Sequence, residues 1–127
     1  MDTFEILSQL CSAAGVSGAE GSAAEAAAKL LEEYGEVTLD NALGSVICKV
    51  GSWEDGKPVM LLDAHIDEIG MIVTYITEDG FLKISGCGGL DTRLLLAQQV
   101  TVYGKEKLTG IVTSTPPHLE KDSSVAP

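Results

Sequence analysis

His65 and Asp67 stand two positions apart in the run Asp63-Ala-His-Ile-Asp-Glu68, which gathers four groups able to do acid–base or metal chemistry within six positions. On an extended backbone, residues i and i+2 point to the same side. A neutral imidazole can then bind a cation through one nitrogen while its other N–H donates to the carboxylate that orients it. A His-x-Asp pair in an arbitrary chain is more often a surface pair or a strand-end hydrogen bond, so the surrounding sequence must decide.

The residues just before the pair supply the first positioning element. Val59, Met60, Leu61 and Leu62 form an apolar run too short for a buried helix and right for a central strand covered on both faces. Open α/β sheets carry their chemistry outside the carboxyl ends of such strands, which is where His65 and Asp67 fall.

Two amphipathic helices are expected upstream. Asp2 and Glu5 have capping-box spacing, and Phe4, Leu7, Leu10, Cys11 and Ala14 share one face before Gly15. After the turn-rich link Gly15-Val-Ser-Gly18, Ser22 and Glu25 suggest a second capping box. Ala23, Ala26, Ala27, Leu30, Leu31 and Tyr34 would form that helix's buried stripe, while Glu32, Glu33 and Glu36 read as a solvated face. Alternating strands are then expected at 36–40 and 45–50 around a turn at 41–44, and at 71–77 and 81–85 around Glu78-Asp79-Gly80. The glycines Gly86, Gly88 and Gly89 should break the last of these, and residues 90–97 give no clear pattern. Two more strands are expected at 99–103 and 108–113, and the texture changes near residue 68 from an α/β layer to all-β hairpins. Residues 120–127 should fray. The Gly86–Gly89 cluster reads as a tight turn, because no Lys-Ser follows it. His118, after two prolines, reads as a structural or surface histidine rather than a ligand.

Composition narrows the classes. The 127 residues are 45% apolar, enough for one core, and carry a net charge of −11 from 8 basic and 19 acidic residues. That balance argues against nucleic acid and against an anionic membrane as partners, since both need a basic footprint. Cys11, Cys48 and Cys87 are odd in number and unpaired in spacing, so reduced thiols are expected. The opening residues lack the basic start and apolar run of a leader, and no stretch reaches membrane-spanning length. The expected compartment is the cytoplasm.

From Cys11 onward the chain resembles the N-terminal part of the glutamyl and deblocking aminopeptidase family of metallopeptidases. The resemblance is carried by Gly15-Val-Ser-Gly18, by Asp40 with Leu43-Gly44, and by Asp63-Ala-His-Ile-Asp-Glu-Ile-Gly70-Met71. Gly88-Gly89, Gln99-Val100, Gly110-Ile-Val and Pro116-Pro117-His-Leu119 follow in order. It implies an α/β catalytic domain interrupted by a β-barrel dimerisation domain, here 1–67 and an incomplete 68–127. It also implies two divalent metal ions, zinc or cobalt, and removal of N-terminal residues from peptide substrates. Assembly would be homo-oligomeric, through dimers up to a tetrahedral dodecamer.

In that scheme His65 matches a metal ligand and Asp67 the carboxylate that hydrogen-bonds it. The bridging aspartate, the general-base glutamate and the remaining ligands would lie beyond residue 127. A truncated chain, inactive alone, is therefore expected, because one histidine and one aspartate cannot hold two ions. A non-catalytic assembly module is the alternative. Glycoside hydrolysis ranks last, since Asp63, Asp67 and Glu68 are too close in sequence to flank a scissile bond.

Overall fold

The computed structural model describes residues 2–40 and 42–114. The expectations for His118, for the 116–119 motif and for fraying at 120–127 lie outside them. The chain divides into two compact units, Met1–Gly89 and Leu90–Pro127.

The first unit opens on α1, Thr3–Ser12. Its capping box forms as the spacing required: Glu5 N–H donates to Asp2 Oδ1 at 2.8 Å, and Asp2 N–H to Glu5 Oε2 at 3.1 Å. The apolar face of α1 is only partly covered: Leu10 is half-buried, whereas Phe4 and Leu7 remain exposed. Helix α2, Gly21–Leu31, starts one residue before Ser22. The second capping box therefore does not form: Glu20 is the N-cap residue, without a side-chain cap bond, and Ser22 falls inside the first turn. Glu20 instead turns back to accept the Gly18 N–H at 2.6 Å. The buried core sits on α2, at Ala23, Ala24, Ala28 and Leu30. Ala23 and Leu30 were expected there, whereas Tyr34 stays exposed.

Local pairing makes the remaining elements. Strands β1, Glu36–Leu39, and β2, Val46–Lys49, form an antiparallel hairpin with Leu39 opposite Val46. Asp40 shapes its turn by accepting the N–H groups of Ala42 and Leu43. Strands β3, Gly70–Ile76, and β4, Leu82–Cys87, pair with a bulge at Thr74. Strand β4 runs on through Gly86 rather than breaking there, because Gly86 and Cys87 find ladder partners in Met71 and Gly70. The three cysteines are free thiols, as expected.

In the second unit, Asp91 caps a 3-10 turn at Thr92–Leu94. Strands β5, Gln99–Tyr103, and β6, Lys107–Ile111, form the third antiparallel hairpin.

The central strand expected at 59–62 is the main correction. No ladder forms there, and Val59, Met60, Leu61 and Leu62 are 63%, 84%, 85% and 87% exposed. A buried parallel strand needs neighbours on both edges, and among the described residues each sheet is a two-stranded hairpin whose free edges do not pair with this segment. For the same reason neither a mixed sheet nor a closed barrel is present among the described residues. The coarse class holds: a small α/β arrangement of two helices and short sheets. Strand β3 begins just after the texture change expected at residue 68, whereas the two compact units divide after Gly89. Among the described residues no helix is long and apolar enough to cross a membrane.

Candidate metal-ligand site

The segment between residue 62 and β3 forms no regular element until Glu68, which makes an isolated parallel bridge with Val16. The link between α1 and α2 is thereby drawn against the segment bearing His65 and Asp67. Glu68 holds it twice: its N–H donates to the Gly15 carbonyl at 2.8 Å, and its Oε1 accepts the Gly15 N–H at 2.9 Å. Close approach depends on Gly70, because a Cβ there would fall 2.3 Å from Val16 Cγ2.

On this frame His65 Nδ1 lies 3.0 Å from Asp67 Oδ1. Ser17 Oγ donates to the other carboxylate oxygen, Oδ2, at 2.5 Å. The Ser17 hydroxyl, and after it the His65 ring, hold the Asp67 carboxyl below the usual carboxylate range. An ionised carboxylate only accepts, which places a proton on Nδ1; in the neutral ring Nε2 then carries the lone pair. The His65 side chain is 87% exposed, so that nitrogen is open to a ligand. Asp63 remains exposed on the same segment and takes no part in these bonds.

The structure thus brings His65 and Asp67 together as the spacing suggested. It adds Ser17 and Glu68, whose parts in the arrangement the sequence reading did not assign. The only signal for Ser17 was its place in the turn-rich Gly15–Gly18 link, and a separation of 50 residues conceals such a pairing. As a donor set, one oriented imidazole fits a single share of a metal site. Among the described residues no group of three His, Cys, Asp or Glu side chains converges to complete one. A shallow cleft elsewhere, lined by Glu20, Ala24, Glu25, Leu39 and Asp40, includes neither His65 nor Asp67.

An oriented histidine of this kind sits within residues 44–127, which match the family model described as M42 glutamyl aminopeptidase. The chain belongs to that family. It is 28% identical over 125 residues to the lysyl aminopeptidase of Pyrococcus furiosus, covering 97% of this chain and 35% of that protein. Among solved structures it resembles the TET aminopeptidase of a marine-sediment Thaumarchaeota archaeon at a TM-score of 0.80. That match has 34% identity and covers 92% of this chain and 32% of the other. The TET1 peptidase of Pyrococcus horikoshii, which can assemble into a tetrahedron or a large octahedral shell, matches at a TM-score of 0.78 and 36% identity. Coverage there is 99% of this chain and 38% of the other. The chain therefore spans about a third of the length of the relatives it matches.

Proposed function

We propose that this chain contributes the oriented histidine of a metal-dependent aminopeptidase that removes N-terminal residues from peptides. The observation that carries the reading is the His65–Asp67 pair at 3.0 Å, with Nε2 open, in a chain of an aminopeptidase family. His65 would be a ligand to one of two divalent ions, zinc or cobalt. Asp67 would hold the ring in its Nδ1–H tautomer and raise the basicity of Nε2. What a bound ion brings is Lewis acidity toward a peptide carbonyl and toward water. The exposed setting of His65 leaves the approach to Nε2 open to a peptide end.

The same reading assigns residues 1–67 to the catalytic α/β domain and 68–127 to part of a β-barrel dimerisation domain. The remaining ligands would come from outside this chain. It includes homo-oligomeric assembly, supported by the tetrahedral and octahedral shells of the TET1 peptidase. A cytoplasmic location also belongs to it, supported by three free thiols and the acidic composition.

The test uses the protein expressed from its own gene, with zinc titration and hydrolysis of amino-acid p-nitroanilides as readouts. His65→Ala should abolish one zinc equivalent and the peptidase activity. Asp67→Asn should cost about 10–100-fold in metal affinity or activity. A His65→Ala variant that binds zinc and cleaves at the wild-type rate would sink the proposal.

A further inference from the structure

The Ser17 hydroxyl is the feature of this site that the family reading leaves without a role. Both oxygens of the Asp67 carboxylate are engaged, Oδ1 by His65 and Oδ2 by Ser17. A carboxylate held at one oxygen can still swing about its Cβ–Cγ bond, whereas one held at both is fixed in plane. The plane of Asp67 in turn sets the direction from which Nδ1–H of His65 is received, and hence where Nε2 points.

The placement of Ser17 is built in by the fold. Gly15, two residues before it, is tied at both N–H and C=O to Glu68, one residue after Asp67. Val16, between them, bridges to Glu68 and packs over Gly70, where the absence of a Cβ leaves the necessary space. The backbone on both sides of the hydrogen bond is therefore pinned. Ser17 is itself exposed and fills no part of the core on α2, so packing does not account for it.

We propose that Ser17 is a positioning residue: its hydroxyl locks the plane of Asp67 and through it aims the His65 imidazole at a metal ion. This rests on the metallopeptidase reading, and it gives the Gly15–Gly18 link a task in the site beyond connecting two helices.

Ser17→Ala, Ser17→Thr and Ser17→Val, made in the protein expressed from its own gene, test it. Zinc affinity is read by competition with a chromophoric chelator, and kcat and KM with leucine p-nitroanilide. Removal of the hydroxyl in the Ala and Val variants should weaken zinc binding about 10-fold, the lower end of the range for groups behind a ligand, and should lower kcat with KM unchanged. Thr, which has the shape of Val but keeps the hydroxyl, should restore both. The proposal is overturned if Ala matches wild type within about twofold, or if Val performs as well as Thr. Loss of the helical circular dichroism in the Ala and Val variants also overturns it, since Ser17 would then maintain the fold. His65→Ala, run alongside, separates the two readings. If that variant loses zinc and activity while Ser17→Ala does not, only the role of Ser17 falls. If His65→Ala loses neither, the metallopeptidase reading falls and takes this proposal with it.

Discussion

Asp91 does two things with one carboxylate. Its Oδ1 accepts the Arg93 backbone N–H at 3.1 Å, capping the 3-10 turn, and its two oxygens take Arg93 Nε and a terminal guanidinium nitrogen at 2.9 and 2.7 Å. The Arg93 side chain, then its backbone N–H, hold the Asp91 carboxyl below the usual range, and the guanidinium is pushed up in return. A folded value below the unfolded one means the contribution to stability is complete above the ordinary carboxylate range. It is lost as pH falls through the folded value. In an NMR titration Asp91 should therefore protonate later than an ordinary aspartate as acid is added, and Arg93→Ala, which removes the larger cause, should raise its midpoint. An Asp91 midpoint that does not move in Arg93→Ala would remove the pair as the cause. Residues 90–97 gave no pattern in the sequence, because a single turn of three residues has no period to detect. His65 and Asp67 were legible because they are neighbours along the chain. Ser17 was not, because its partner is 50 residues away.

At the level of elements, the same divide separates what could be read from what could not. Each hairpin closes on residues adjacent in sequence, and alternation plus turn residues such as Asp40 and Gly80 were enough to find all three. The run at 59–62 has the composition of a strand, but composition carries no information about whether neighbours are present to pair with it. The docking of the α1–α2 link on the segment before β3 is a non-local contact, and it hinges on Gly70. Gly70→Ala would drive a methyl into Val16, at a cost of about 1–3 kcal/mol in urea unfolding, typical of overpacking. Gly89→Ala, where a Cβ meets nothing within 4 Å, should change stability by less than about 1 kcal/mol. Equal effects at the two positions would contradict a close approach at Gly70.

For the whole molecule, the distribution of apolar surface is the dominant fact. Nearly half the residues are apolar, yet the buried hydrophobic side chains among the described residues all lie on α2. Leu61 and Leu62, in the unpaired segment, are 85% and 87% exposed. Contiguous apolar surface joined to unsatisfied backbone edges recruits partners, whether further chain or further copies. The 127-residue chain should accordingly self-associate, and Leu61→Lys should shift its sedimentation velocity profile toward monomer. An unchanged profile would mean that residues 59–62 do not form the associating edge.

The Val16–Glu68 bridge also imposes an order in time. A hairpin closes over a few residues in about 1–10 μs, as soon as its own strands exist. The bridge must instead bring together residues more than 50 positions apart. At a synthesis rate of about 5–20 residues per second, Ser17 is made roughly 3–10 s before Asp67. Throughout that interval the link has no segment to bridge to, although α2 can already pack on α1 and on the β1–β2 hairpin. In a growing chain the helices and the β1–β2 hairpin come first, and the histidine is aimed only once residue 68 has cleared the ribosome and come back to the link.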